Sequence, residues 1–208
     1  QRQMCIRDSA CDEHAHGVHI LFDNKVILGT RARKTHTKSF NAFKSIDFPE
    51  IAIVRDRRVR YYIEEKVSED GPDFYTSLDP KVFVLRLVPG MNPDIFSFLK
   101  EHYDGLVIES FGVGGIPCYD NESFVDAVAD WIACGKALVM TTQVPHEGSD
   151  MSVYMVGQVI KKKYRLIEAY DMTTEAIVAK LMWILAQTKK PAEVREMFYR
   201  PVQNDLNI

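Results

Sequence analysis

The residues most readily associated with chemistry are three histidines near the start of the chain, His14, His16 and His19. Closely spaced imidazoles can converge on one metal ion. If this stretch is a strand, however, His14 and His16 share one face and His19 points the other way. No cysteine or acidic residue stands at the spacing of a further ligand. We therefore expect no metal here and interpret the histidines as ordinary surface or core residues.

A glycine-rich loop, Gly112-Val113-Gly114-Gly115, follows an apolar segment typical of a strand. Phosphate-binding loops have this composition, but the dinucleotide pattern requires a glycine where Pro117 stands, and no helix begins directly afterwards. The sequence therefore disfavours a nucleotide site. Two interpretations stay open: a tight turn, or a ligand-binding loop at the carboxyl end of a parallel strand, where such sheets bind their ligands.

Two further polar segments have less specific patterns. Residues 141–146 follow a predicted strand and include a histidine, but no GxSxG motif supports a serine hydrolase. The segment around Arg31, Arg33, Lys34 and Lys38 is strongly basic. Such a charge run is typical of a solvated surface, and a functional cation within it is the alternative.

The composition excludes several classes of protein. The chain has 208 residues, 46% of them hydrophobic and 26% charged, as in ordinary globular proteins. Its 26 basic and 29 acidic residues nearly cancel, so nothing attracts nucleic acid or anionic lipid globally. No run approaches the roughly 20 apolar residues of a membrane helix. The four cysteines form no CxxC pair, which indicates reduced thiols. We expect a cytoplasmic protein with no nucleic-acid or membrane partner.

Short antiparallel strands are predicted in the first part of the chain. Residues 18–22 and 26–28 flank an Asp-Asn turn and predict a β-hairpin. Residues 51–54 and 59–63 form a second strand pair around a charged turn. Residues 29–39 are polar and basic, and we expect them to be a loop.

Two segments are expected to lie outside the folded domains. Residues 1–9 have neither the apolar segment of a signal peptide nor the periodicity of a helix or strand. We interpret residues 1–11 as non-native sequence. Residues 67–80 contain acidic residues, glycine and proline and are expected to be a linker. One domain is therefore expected over residues 12–66 and another over residues 81–208.

After the linker, strand-like and helix-like patterns alternate, which predicts an α/β domain with a parallel sheet of flavodoxin-like type. The predicted strands are residues 82–88, 106–108, 137–141, 153–159 and 164–167. The predicted helices begin at Asn92-Pro93-Asp94, at Asp120 or Asn121, at Asp171 and at Pro191.

Two stretches together resemble a known enzyme family. Residues 18–49, with Gly29, Lys34 and the motif Phe40-x-Ala42-Phe43-x-Ser45, resemble the segment that ends the N-terminal domain of L-asparaginases. The C-terminal domain of the cytoplasmic (type I) branch is similar to four later segments: Val88-Pro89-Gly90-Met91, Tyr103-Asp104-Gly105, residues 109–117 and residues 171–176. The order and spacing of these motifs carry the resemblance.

The resemblance implies a reaction and a role for one residue. In the family a threonine hydroxyl attacks the side-chain amide of L-asparagine, and L-aspartate and ammonia are released without metal or organic cofactor. A Thr-Asp pair with a lysine activates the attack, because threonine is a poor nucleophile at neutral pH. That lysine corresponds to Lys34. Its compact ammonium group would keep a neighbouring aspartate ionised, a role that the planar fork of arginine fills poorly.

The chain departs from the family pattern in its catalytic motifs. Neither the TGGT-type turn nor the HGTDT-type motif occurs, and Thr35, Thr37 and Asp47 lack the glycine context to replace them. We therefore expect a remnant of an N-terminal α/β domain, followed by a smaller C-terminal α/β domain, and no activity from this chain alone.

The resemblance also implies partners. The small-molecule substrate is L-asparagine, and the full-length protein is expected to be a homodimer or homotetramer. Gly112, Gly114 and Gly115 are then the expected substrate-binding or subunit-contact loop. The alternatives are the related asparaginase-like subunit of glutamyl-tRNA amidotransferase and a non-catalytic α/β ligand-binding or regulatory domain. Nothing in the sequence indicates whether asparagine or glutamine is preferred.

Overall fold

Two units make up the chain, one formed by residues 1–74 with 202–205 and the other by residues 75–201 with 206–208. The structure is a computed structural model and describes residues 2–64, 71, 73–117, 123–153, 158 and 166–207. The predicted beginning of a helix at Asp120 or Asn121 lies outside these residues. Of the predicted strand at 153–159, only Val153, in a bend, and Gln158, in helical conformation, are described.

Antiparallel strands build the first unit, as the sequence predicts. Its main sheet has the order β1 (His19–Phe22), β2 (Lys25–Leu28), β5 (Ala52–Arg55) and β6 (Arg58–Tyr61). Both hairpins turn through two residues with positive φ, at 51° and 62° in each case. Such turns match the twist of paired strands, which is why these short connections specify hairpins. Val26, Leu28, Ala52 and Val54 of this sheet form a buried apolar cluster together with Ile51.

The expected loop at residues 29–39 is wrong in its first half. A 3-10 turn at Gly29–Arg31 leads into β3 (Ala32–Lys34), which pairs with β4 (Phe43–Ser45). In a strand this short and polar, pairing with the neighbouring strand determines the conformation, and its own composition does not. The residue pattern of the segment therefore does not predict it.

Regular structure also forms at the start of the chain, where none was expected. Helix α1 (Arg2–Ala10) continues into a last turn in which the Cys11 amide donates to the Arg7 carbonyl at 3.0 Å. The backbone hydrogen bonds of a helix do not require an apolar stripe, so the missing periodicity does not exclude one.

A parallel sheet forms the centre of the second unit and confirms the predicted α/β class. Its strands are β7 (Val82–Arg86), β8 (Gly105–Ser110), β9 (Ala137–Thr142) and β10 (Ile167–Glu168), and they lie side by side in chain order. Every residue of β8 is buried. Burial on both faces explains the continuous apolar runs in the sequence.

Helices cover both faces of this sheet. Helices α2 (Ile95–His102) and α3 (Ser123–Ala133) contribute Phe96 and Trp131 to a core that includes Leu85, Ile108 and Met140. Helices α4 (Thr174–Gln187) and α5 (Pro191–Tyr199) pack on the other face, where Val107 and Val139 lie. Within the described residues, no helix combines the length and the apolar character needed to cross a membrane.

Two helices begin later than predicted. Helix α2 begins at Ile95, because Asn92 accepts a hydrogen bond from the Asp94 amide at 2.9 Å and holds a turn there. Helix α4 begins at Thr174 and not at Asp171, since the Thr173 hydroxyl accepts from the Ala176 amide and caps it. The predicted start of α5 at Pro191 is confirmed.

Candidate functional site

Lys34 lies at the end of β3 with its side chain exposed to solvent. Its partner across the strand pair is Phe43, whose ring packs edge-on against Phe22 of β1, with centroids 5.3 Å apart. The backbone that carries Lys34 is therefore anchored to the main sheet of the first unit. Among the residues that the structure describes, no carboxylate forms an ion pair with Lys34.

The segment directly after Lys34 forms an exposed loop. The Thr35 amide donates to the Ala42 carbonyl at 2.7 Å and closes the loop at its base. The Thr35 hydroxyl lies 2.9 Å from Nδ1 of His36. Phe40 at the tip is 70% exposed, which is unusual for a large apolar side chain. The Lys34 side chain and the loop that follows it are therefore exposed to solvent.

The carboxyl end of the parallel sheet holds a buried acid that the sequence analysis did not single out as a functional residue. Glu109, at the end of β8, is 6% exposed. Its Oε1 accepts a hydrogen bond from the Thr174 hydroxyl at 2.7 Å, and Arg86 approaches Oε2 at 3.9 Å. The beginning of α4 adds a favourable helix dipole for a negative charge. A charged residue that interrupts an apolar strand at its carboxyl end is the signal that would have identified Glu109.

The glycine loop lies at the same edge, and its glycines have different surroundings. Gly112 has a φ of 50° and open space where a side chain would be. Gly114 has a φ of 152°, and a Cβ there would lie 3.3 Å from Cα of Met151. The amides of Gly114 and Gly115 both donate to the Phe111 carbonyl, at 3.1 and 2.7 Å. These two amides are used inside the turn, so a phosphate cradle of the nucleotide-binding kind does not fit.

The polar segment after β9 connects neighbouring strands. The Thr142 hydroxyl donates to the Gly112 carbonyl. The side-chain amide of Gln143 donates to the carbonyls of Leu87 and Glu109, at 2.6 and 3.1 Å. Thr142 and Gln143 therefore fix the ends of β7 and β8.

The histidines near the start of the chain do not form the arrangement that a strand would give. His14 lies in a turn and only His19 lies in β1. The amide and ring of His14 both contact Oδ1 of Asp12, at 3.0 and 3.2 Å, and the hydrogen bond from the amide lowers the pKa of that carboxyl. Within the described ranges, no group of three potential ligands could hold a metal ion.

Comparison with known proteins places these features in a family. A family model described as the glutaminase/asparaginase C-terminal domain matches residues 81–198, and one described as asparaginase, N-terminal, matches residues 7–67. The L-asparaginase of Thermococcus kodakarensis is 36% identical over 190 residues, covering 91% of this chain and 57% of that protein. A glutamyl-tRNA(Gln) amidotransferase subunit from Thermofilum pendens is 34% identical over 174 residues, covering 82% of this chain and 38% of that protein.

Solved structures agree with this similarity. The thermostable L-asparaginase from Thermococcus kodakarensis superposes with a TM-score of 0.92 at 33% identity, over 99% of this chain and 62% of that chain. L-asparaginase I from Vibrio cholerae shares the fold, with a TM-score of 0.78 at 23% identity, over 92% of this chain and 57% of that chain. The chain thus spans less than two thirds of the length of these relatives. Because one family model alone matches more than half of its residues, the chain belongs to the glutaminase/asparaginase family.

Proposed function

We propose that the chain is part of an amidohydrolase that converts L-asparagine to L-aspartate and ammonia, with Lys34 as its proton-transfer partner. The observation that carries the proposal is the position of Lys34. It lies exposed at the end of an anchored strand, within the motif that resembles the family's lysine segment. Among the described residues, none forms an ion pair with Lys34. Its ammonium group is therefore available to a carboxylate that these residues do not supply.

The proposed reaction needs groups that this chain does not contain. A threonine hydroxyl would attack the side-chain amide carbon of asparagine and form an acyl-enzyme, with its proton passing to the departing ammonia. Water would then attack the ester carbon and release aspartate. In this scheme the positive charge of Lys34 keeps the aspartate of the Thr-Asp pair ionised, and it favours proton movement between the hydroxyls.

The glycine loop is the proposed contact with substrate or with a second subunit. Gly112 is exposed and leaves space above its backbone, whereas Gly114 is buried against Met151. A contact is therefore expected at Gly112 and the adjoining Val113, with Gly114 and Gly115 shaping the turn. We further propose that the full-length protein is a homodimer or homotetramer, built from domains at residues 12–66 and 81–208.

A second candidate is the asparaginase-like subunit of a tRNA amidotransferase. The observation in its favour is that several such subunits are 28–34% identical to this chain. The L-asparaginase of Thermococcus kodakarensis is more similar, at 36% identity over 190 residues. We therefore place L-asparagine first among the substrates.

The test uses an extended protein, in which the preceding part of the Thermococcus kodakarensis L-asparaginase is joined to residue 12. Ammonia release is measured with L-asparagine, L-glutamine and glutamyl-tRNA(Gln) plus an amide donor. The proposal predicts release from L-asparagine by the extended protein and none from the 208-residue chain above a heat-inactivated control. Transamidation with little free hydrolysis would favour the second candidate. A folded extended protein inactive in every assay would favour a non-catalytic domain, and ammonia release by the chain alone would require another nucleophile.

A further inference from the structure

A buried arginine lies in the turn that precedes the strand of Lys34. Arg31 is the last residue of the 3-10 turn and is 0% exposed. Its Nε donates to the Asn204 carbonyl at 2.5 Å, and its guanidinium lies over the Phe48 ring at 5.4 Å. A guanidinium is seldom fully buried without specific partners, because desolvation of the charge is costly. One such partner is thus a backbone carbonyl 173 positions along the chain.

That carbonyl belongs to a strained turn, residues 202–205, which is part of the first unit. Gln203 and Asn204 both have left-handed backbones, with φ of 48° and 53°. Asparagine tolerates this region, but glutamine adopts it rarely. Asp205 stabilises the turn by accepting from the Val202 amide at 2.8 Å. Backbone strain persists where the surrounding structure enforces it. The strain here indicates that the direction of the carbonyl groups in this turn is constrained.

The turn presents two successive carbonyls to two successive residues. The Gln203 carbonyl accepts from the Thr30 hydroxyl at 2.9 Å, and the Asn204 carbonyl accepts from Arg31. The side chain of Gln203 also accepts from the Val18 amide at 3.2 Å. Residues 202–205 therefore fix the 3-10 turn from outside the strands that surround it.

The strand of Lys34 continues directly from this fixed point. The Arg31 carbonyl accepts from the Ile46 amide at 2.9 Å and forms the first link between β3 and β4. The Thr35 amide, bonded to the Ala42 carbonyl, forms the last. Lys34 lies three residues beyond Arg31, about 10 Å along an extended strand. A shift at Arg31 would consequently be transmitted along the backbone of β3 to Lys34, although Phe43, the partner of Lys34, also contacts Phe22.

We propose that Arg31 is a positioning residue for Lys34, held by the backbone carbonyls of residues 202–205. The inference rests on the proposed function, in which Lys34 transfers protons. The buried guanidinium of Arg31 would thus connect residues 202–205 to Lys34.

The first experiment changes the guanidinium in the extended protein. Arg31→Met removes the donor, and we expect kcat for L-asparagine to fall about 10- to 100-fold with KM unchanged, as misplacement of a catalytic group does. Arg31→Lys keeps a charged donor and should recover most of the lost kcat. A purely structural role would lower the melting temperature and leave kcat of the folded variant unchanged. That result would overturn the proposal.

The second experiment changes the turn without touching Arg31. Asn204→Pro excludes the positive φ and should turn the carbonyls away, whereas Asn204→Gly permits the same backbone and serves as the matched control. Hydrogen exchange is measured on the 208-residue chain at the amides of Ile46 and Thr35. We expect at least about 10-fold faster exchange in Asn204→Pro, because the strand pair opens more often, and wild-type rates in Asn204→Gly. Equal rates in both variants would overturn the proposal.

The two readouts also separate this inference from the proposed function. An extended protein that folds but releases no ammonia would contradict the proposed function alone. The exchange rates at Ile46 and Thr35 would still decide whether residues 202–205 hold the strand of Lys34.

Discussion

Replacing Lys189 with methionine should destabilise the second unit, whereas the same change at the neighbouring Lys190 should not. The Lys189 ammonium group bonds Asp79 at 2.6 Å and also bonds Asp104. These carboxylates precede β7 and β8, so one cation connects two strand beginnings to the segment between α4 and α5. Lys190 pairs with Glu193, one turn away on the exposed surface. Each variant removes one positive charge. Only Lys189, however, connects two strand beginnings, so the pair separates this connection from the loss of charge.

The expected loss of stability follows from the solvent exposure of the three paired side chains. The Lys189 side chain is 54% exposed, while those of Asp79 and Asp104 are 14% and 24% exposed. Solvent therefore screens a large part of the attraction, and a partly exposed pair contributes about 1 kcal/mol. A loss of about 1 kcal/mol should lower the melting temperature of a unit of this size by roughly 3 °C.

The effect should depend on pH in a defined direction. The hydrogen bond from Lys189 holds the pKa of Asp104 below its ordinary value of 3.8. Burial raises the pKa of Asp79, but hydrogen bonds from Lys189 and the Lys81 amide outweigh it and leave that pKa lowered as well. A lowered carboxyl pKa stabilises the fold above the unfolded value and ceases to do so as pH falls through the folded value. The difference between wild type and Lys189→Met should thus be complete at about pH 7 and shrink below about pH 4.

The stabilisation by Lys189 should also change at alkaline pH. Hydrogen bonds to Asp104 and Asp79 raise the pKa of Lys189 above 10.5. The stabilisation from this cation is therefore complete below pH 10.5 and is lost as pH rises through the higher folded value.

Urea unfolding followed by tryptophan fluorescence measures this effect in the correct unit. Both tryptophans, Trp131 and Trp183, lie in the second unit. We expect a lower unfolding midpoint for Lys189→Met at about pH 7 and coincident midpoints for wild type and Lys190→Met. Equal losses of stability at both lysines, or a loss in Lys189→Met as large at about pH 3 as at about pH 7, would show that the pairing with Asp79 and Asp104 does not stabilise the second unit.

Two further predictions concern the carboxyl end of the parallel sheet, and the same urea assay checks both. Gly112→Ala should lower the free energy of unfolding by about 1 kcal/mol, because its backbone is left-handed. Gly114→Ala should lower it by about 1 to 3 kcal/mol, because the added methyl group also meets Met151. A larger loss at Gly112 than at Gly114 would contradict this packing. Thr174→Val should destabilise the second unit by about 1 to 3 kcal/mol because it leaves buried Glu109 without its hydroxyl donor. Thr174→Ser keeps the donor, and a loss equal to that of Thr174→Val would show that packing, and not the hydrogen bond, is responsible.

Elements specified by nearby residues were predictable from the sequence. Asp23 and Asn24 adopt the left-handed pair that their hairpin requires, and the apolar runs at 82–88 and 137–141 form β7 and β9. The same short-range logic identified Pro191 as the start of α5. In each case the signal lies within the element or directly beside it.

Features that depend on distant partners were not predictable. Strand β3 exists because Ala32 and Lys34 pair with residues across β4, and its polar composition alone indicates a loop. Arg31 belongs to a basic run that predicts a solvated surface, yet residues 202–205 bury it. The hydrogen bond that buried Glu109 accepts likewise comes from Thr174, 65 positions away. A single sequence contains no local signal for pairings at such separations.

A comparison of Lys34 with Lys38 in the extended protein decides whether Lys34 takes part in amide hydrolysis. Lys34 and Lys38 are both exposed and belong to the same basic segment. Initial rates of ammonia release from L-asparagine are measured for Lys34→Met and Lys38→Met, with folding of the first unit checked by hydrogen exchange at the amides of Ile46 and Thr35. We expect Lys34→Met to lower kcat by about two to four orders of magnitude, as loss of a proton-transfer partner does, while Lys38→Met stays near wild type. Equal and small changes in kcat at both lysines would show that Lys34 is a solvated surface charge with no part in the reaction.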